Sequence, residues 1–143
     1  MKTVASILEA KGSAVFKVAP GASVYEALQI LADKNVGALV VADQGRLVGI
    51  ISERDYARKV VLAERSSKAT LVSEIMSSKV SAVAPTASLE ACMELMTERH
   101  IRHLPVLEGD ELVGMISIGD VVKAVIADLA AMVDQLESYI RGR

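Results

Sequence analysis

The chain contains itself twice. Sliding the sequence by 65 residues lays Ser13–Val61 over Ser78–Ile126 without a gap, with about a third of the paired positions identical. Ser-x-Val-x-x-Val-Ala-Pro-x-Ala-Ser at Ser13–Ser23 returns at Ser78–Ser88, and Leu47-Val48-Gly49 returns at Leu112-Val113-Gly114. A duplication of this size restricts the fold to two copies of one small unit. Neither copy can bury its apolar face alone, so the two are expected to pack face to face about a pseudo-twofold axis.

Each copy carries the same order of signals. A short strand, Val15 to Val18 or Val80 to Val83, is expected to stop at Pro20 or Pro85, where the missing N–H breaks a ladder. A helix follows from Ser23 or Ser88; Ser23-x-x-Glu26 reads as a capping box, whereas Ser88 lacks the glutamate. Val24, Ala27, Leu28 and Leu31, and Leu89, Cys92, Met93 and Met96, recur at helical spacing and predict one buried face on each helix. Two β-prone runs follow in each copy, Ala38 to Ala42 with Leu47 to Ile51 and Leu104 to Leu107 with Glu111 to Ile116. Asp43-Gln44-Gly45 and Glu108-Gly109-Asp110 turn them into hairpins. A second helix closes the unit. The fold class is therefore α/β in the mixed, α+β sense: duplicated β-α-β-β-α units. Residues 1–65 form the first repeat, 66–71 a polar linker, 72–127 the second repeat and 128–143 an extension of the last helix.

The junction between the last strand and the last helix of each copy holds the chemistry. It reads Gly49-Ile50-Ile51-Ser52-Glu53-Arg54-Asp55 and Gly114-Met115-Ile116-Ser117-Ile118-Gly119-Asp120. The first turn of a helix has free N–H groups and the positive end of the dipole, which suits a phosphate, and a carboxylate accepts the paired donors of a ribose diol. Ser-x-x-Asp is equally the start of an ordinary helix, with serine as cap and aspartate favouring the dipole.

Several function classes drop out on composition. Aromatic residues make up 3% of the chain, with no Trp, and the net charge is −2 without a long basic run, which argues against nucleic-acid binding by stacking and charge. Cys92 is the single cysteine, so no internal disulfide or thiolate cluster exists, and its apolar helical position predicts a buried structural thiol. His100 and His103 are spaced like metal ligands but lack an acidic or cysteine companion, so no metal site is expected. No signal peptide or membrane span is read, and a cytoplasmic protein without membrane association is expected. Ser52 has no histidine in its own segment, which counts against an enzyme. The last helix carries Val122, Ile126, Leu129, Val133, Leu136 and Ile140 at alternating steps of four and three, a heptad-like seam that predicts contact with a second subunit.

The duplicated unit, the Ile101-Arg102-His103-Leu104-Pro105-Val106 run and Gly-x-x-Ser-x-x-Asp in both copies together resemble a tandem pair of cystathionine-β-synthase (CBS) domains, or Bateman module. The resemblance covers nearly the whole chain and implies a stand-alone regulatory protein, not an enzyme and without a catalytic cofactor. It would sense AMP, ADP, ATP or NAD(H) in clefts between the repeats, form a homodimer and signal in trans to an effector protein. It implies one cleft built from Ile50, Ser52, Arg54, Asp55 and Arg58 with Ser78, Val80, Ile101, Arg102 and His103. The other would take Met115, Ser117, Asp120 and Lys123 with Ser13, Val15, Val36, Gly37 and Ala38. In these roles the aspartates hold ribose hydroxyls, the serines donate to phosphate, and Ile50 or Met115 helps wall the adenine. The first cleft, richer in arginine forks, is expected to bind phosphate more tightly. The competing reading is a ligand-free dimerisation scaffold with empty clefts. Glu53 and Tyr56 are left without a role.

Overall fold

The structure is a computed structural model and describes residues 2–142. In chain order the elements are α1 (Val4–Lys11), β1 (Lys17–Val18), α2 (Val24–Lys34), β2 (Ala38–Asp43), β3 (Arg46–Ser52), α3 (Glu53–Tyr56), α4 (Val72–Ile75), α5 (Leu89–Arg99), β4 (His103–Glu108), β5 (Glu111–Ser117) and α6 (Ile118–Ile140). A π-helical stretch, Ala57–Val61, continues α3. Mixed helix and strand in this order gives the expected α+β class.

Two compact units emerge, and they do not follow the order of the chain. The first comprises residues 14–81 with 110–112; the second comprises 2–13, 82–109 and 113–142. The N-terminal arm α1 thus belongs with the second copy's elements, and α4, which opens the second copy in sequence, belongs with the first. Apolar residues explain both placements. Val72 and Ile75 of α4 are buried in one core with Val24, Ala27, Leu31, Leu39, Ile51 and Val60. Val4 and Ile7 of α1 are buried in the other with Leu89, Cys92, Met96, Leu104, Ile116 and Val121.

Inside the first unit β1 runs parallel to β2, and β2 pairs antiparallel with β3, with Ala38 opposite Ser52 and a register shift between Val41 and Ala42. In the second copy β4 and β5 form the matching hairpin. The first strands are shorter than their β-prone runs. Val15 precedes β1, and the run at Val80 to Val83 is reduced to one parallel bridge between Val83 and Val106. The reason is the pairing partner: Val83 exchanges hydrogen bonds with Pro105 O and Leu107 N, while Pro105 itself has no N–H to extend the ladder.

Both long repeat helices start on a serine. Ser23 Oγ accepts from Glu26 N at 3.1 Å and Ser88 Oγ from Ala91 N at 3.1 Å. Only this serine half of the expected Ser23–Glu26 capping box forms. Each helix ends on a left-handed residue, Asn35 at φ 53° and His100 at φ 55°, in the C-cap position. The buried face of α5 is Leu89, Cys92 and Met96, as the spacing predicts; Met93 departs from it and is exposed. The polar linker is a packed turn: Ser67 O accepts from Tyr25 N, Thr70 O accepts from Val24 N, and Thr70 itself is buried with its hydroxyl donating to Ser66 O at 2.7 Å.

Candidate functional site

Each Ser-x-x-Asp junction has been placed by the same local physics. β3 and β5 deliver a serine in extended conformation (φ −126° at Ser52, −110° at Ser117), after which the chain turns helical. The glycine that opens each motif lets an arm approach the strand. A Cβ on Gly49 would stand 2.6 Å from Met76 Sδ and 3.0 Å from Ser77 O; one on Gly114 would stand 2.7 Å from Leu8 Cδ2. Around Gly49 the arm is then fixed by two backbone bonds between Ile50 and Ser77, at 3.0 and 2.9 Å.

The serine and aspartate of each motif hold each other. Ser52 N–H donates to Asp55 Oδ2 at 2.9 Å, Ser52 Oγ–H donates to the same oxygen at 3.0 Å, and Asp55 N–H donates back to Ser52 Oγ at 3.2 Å. Ser117 N–H donates to Asp120 Oδ2 at 2.8 Å and Asp120 N–H to Ser117 Oγ at 3.2 Å. The first helical N–H is also taken in each copy, Glu53 N by Gly37 O at 3.1 Å and Ile118 N by Arg102 O at 2.9 Å. The protein thus carries complete capping boxes, and a ligand at either motif must exchange with bonds already made.

A lysine completes each cluster. Lys59 Nζ lies 3.1 Å from Asp55 Oδ1 and donates to Ile75 O at 2.9 Å; Lys11 Nζ donates to Asp120 Oδ2 at 2.8 Å and to Met115 O at 2.9 Å. Burial would raise the Asp120 pKa. The hydrogen bond and charge of Lys11 and the bonds from Ser117 outweigh it, holding the carboxyl below its usual range. Burial also pushes the Cys92 thiol up, as suits the inert core residue expected from its spacing.

The remaining candidate residues fall as follows. Ile50, Ser52, Arg54, Asp55, Arg58, Ser78, Val80, Val15, Val36, Gly37 and Ala38 belong to the first unit. Ser13, Ile101, Arg102, His103, Met115, Ser117, Asp120 and Lys123 belong to the second. Within the units the backbone brings Gly37 to the Asp55 motif and Arg102 to the Asp120 motif. The combination of Ile101, Arg102 and His103 with Asp55, and of Val36, Gly37 and Ala38 with Asp120, draws on both units and is a proposal. Sequence reading missed both lysines. Lys59 stands four residues after Asp55, a spacing at which opposite charges meet on a helix, and was available to inspection. Lys11 lies 109 residues from Asp120, and no local pattern connects them. A shallow depression lined by Glu26, Gln29, Ile30, Ala32 and Asp33 shares no residue with either motif and offers only negative charge.

Comparison with known proteins agrees with this architecture. The family pattern of the CBS domain matches twice, over residues 11–62 and 72–127. The mitochondrial CBS domain-containing protein CBSX3 of Arabidopsis thaliana is 40% identical, over 98% of this chain and 72% of its own. A signal-transduction protein with CBS domains from Burkholderia ambifaria MC40-6 superposes with a TM-score of 0.87 at 56% identity, covering 89% of this chain and 96% of its own. The CBS domain pair of protein MJ0100, solved with 5′-methylthioadenosine and S-adenosyl-L-methionine, shares the fold at a TM-score of 0.79 and 23% identity, over 90% of this chain and 98% of its own. A double family match covering most of the sequence, on two units of matching construction, places the chain in the CBS domain family as a tandem pair.

Proposed function

We propose that the protein is a regulatory sensor. In this reading it binds AMP, ADP, ATP, NAD(H) or a related adenosyl compound at its two Ser-x-x-Asp motifs, works as a homodimer, and passes the bound state to an effector protein in trans. CBS-domain proteins are regulatory, and relatives of this chain are described as CBS-domain or signal-transduction proteins, which supports a sensor over an enzyme. The binding of methylthioadenosine and S-adenosylmethionine by the MJ0100 pair supports an adenosyl ligand class.

The observation that carries the reading is the repeated trio of serine, aspartate and lysine, each lysine also tied to a backbone carbonyl beside or in an arm. A ribose diol arriving at Asp55 replaces the Ser52 hydroxyl and the Lys59 ammonium on the carboxylate. The freed hydroxyl and ammonium then face the phosphate, joined by Arg54 and Arg58 of the same segment. Each such exchange trades one hydrogen bond for another at a net of about 1 kcal/mol, so affinity comes from the summed set and from apolar contact with the base. Lys59 leaving Ile75 O alters how α4 is held; Lys11 leaving Asp120 alters α1 in the same way. A ligand that prefers one of these two states shifts the balance between them, which is what regulation requires.

The completeness of the capping boxes favours one second reading, a scaffold that needs no ligand. Native mass spectrometry of freshly purified full-length chain separates the two. A retained mass matching an adenine nucleotide or adenosyl compound is expected. No retained mass, together with no rise in melting temperature from any member of a nucleotide panel, overturns the sensor reading.

A further inference from the structure

Gly49 in β3 and Gly114 in β5 each leave a bare spot on a strand, and an arm fills it. Opposite Gly114 the filler is Leu8 of α1. Opposite Gly49 it is Met76, the residue after α4, whose Sδ stands 2.6 Å from the place a β-carbon would take. The two positions correspond: Val4-x-x-Ile7-Leu8 and Val72-x-x-Ile75-Met76 each bury the valine and the isoleucine and seat the fifth residue on the strand. Leucine and methionine are close in volume and exchange at little cost, so packing alone does not call for sulfur in the second arm. What the thioether adds is chemistry, because methionine takes up oxygen and leucine does not. Met76 is half-buried against the core of the first unit, between Met93 and Met132 at 37% and 57% exposed and Met96 at 3%. It is open enough to be reached and packed closely enough for the reaction to matter.

We propose that Met76 is an oxidation site, a clasp that a peroxide opens by converting its thioether to the sulfoxide. The sulfur attacks one oxygen of hydrogen peroxide, an S–O bond forms and the O–O bond breaks. The departing hydroxide collects the proton left on the transferred oxygen and leaves as water; sulfur has given up two electrons and the peroxide has taken them. The new oxygen is a strong acceptor placed where the backbone donors are already spent. Ile50 N–H and Ser77 N–H are committed to each other's carbonyls at 3.0 and 2.9 Å, and Lys59 to Ile75 O and Asp55. The Ser77 carbonyl, 3.0 Å from the same β-carbon position, adds repulsion between two oxygens. An acceptor without a donor is costly unless it reaches water, and the arm reaches water by lifting. The start of α4 is tied elsewhere, Val72 N–H to Ala22 O at 2.8 Å and Ser73 N–H to Pro20 O at 3.0 Å, whereas Met76 lies beside the Ile50–Ser77 pair. The sulfoxide therefore frees the end of α4 from β3 and leaves its start in place. The arm seated through Leu8 has no such response, so peroxide acts on one arm alone.

The inference does not depend on the sensor reading, since it is tested on the nucleotide-free full chain. Hydrogen peroxide is added to wild type and to Met76→Leu, peptide mass spectrometry reads which methionines gain an oxygen, and amide hydrogen exchange reads the arm. In the wild type Met76 is expected to gain one oxygen. Exchange at Ile50 and Ser77 should then quicken about tenfold or more while Val72 and Ser73 stay protected, and the melting temperature should fall by about 3 °C or more. Met76→Leu is expected to keep its arm closed although Met93 and Met132 are oxidised as in the wild type, and methionine sulfoxide reductases of both epimer specificities with dithiothreitol should restore the wild type. Met76→Gln, which places a permanent oxygen in the slot, should open the arm without peroxide. A Met76 left unoxidised while Met93 and Met132 are converted overturns the proposal. So does a Met76 sulfoxide that leaves exchange at Ile50 and Ser77 unchanged, an equal loss of protection in Met76→Leu, or a Met76→Gln as closed as the untreated wild type.

Discussion

Asp120 shows how one side chain serves both folding and binding. Its carboxylate completes the cap of α6, faces the positive end of that helix and pairs with Lys11 at 2.8 Å. Its pKa is lowered by these partners against the opposing effect of burial, so the pairing contributes stability above the unfolded-state value of about 3.9 and loses it as pH falls through the lower folded value. Asp120→Ala is therefore expected to cost about 1–2 kcal/mol at neutral pH. In urea titrations the gap from wild type should shrink toward zero in strong acid; a gap independent of pH contradicts the assignment. The glycines make a second residue-scale prediction. Gly49→Ala drives a methyl at the Ser77 carbonyl as well as Met76, whereas the three atoms nearest a methyl at Gly114→Ala all belong to the Leu8 side chain. Both should destabilise, by about 1–3 kcal/mol, with Gly49→Ala the worse in thermal melts. The serines, aspartates and glycines of both motifs were legible because the duplication printed them twice at one spacing. Lys11 was not, because its partner is supplied by the tertiary fold.

At the scale of elements, hairpins and repeat helices followed from alternation, turn residues and helical spacing. The exchanged arms did not. Val4-x-x-Ile7-Leu8 and Val72-x-x-Ile75-Met76 are too short to declare which core will bury them, and only the packed units show that each serves the other copy's elements. The π-helical Ala57–Val61 was equally invisible: its counterpart in α6 is regular helix, and nothing in Ala57-Arg58-Lys59-Val60-Val61 breaks α periodicity. The wide turn begins two residues after Asp55, in the segment that carries Arg58 and the Asp55-bound Lys59, which makes the two motifs structurally unequal. If α4 is an integral part of the first unit, Ile75→Ala should cost about 2–4 kcal/mol of unfolding free energy, the range for a fully buried isoleucine. A cost near that of a surface substitution would mean the arm is dispensable.

For the whole molecule, family membership follows from the repeat and from two motif copies in matching surroundings. Ligand identity does not, because serine, aspartate and lysine recognise ribose and phosphate without choosing among adenosyl compounds. The inequality of the motifs is the more discriminating feature. Each aspartate is paired with a lysine that a ligand must displace, Asp55 with Lys59 and Asp120 with Lys11, but the segment around Asp55 adds Arg54 and Arg58 where Asp120 is followed by Lys123 alone. Titration calorimetry of AMP, ATP, NADH and S-adenosylmethionine into wild type, Asp55→Ala and Asp120→Ala tests the sensor reading most directly. The account predicts binding of at least one of these ligands to the wild type, with a larger loss of affinity from Asp55→Ala than from Asp120→Ala for phosphate-bearing ligands. Absence of binding heat with every ligand, or a larger loss from Asp120→Ala, contradicts it.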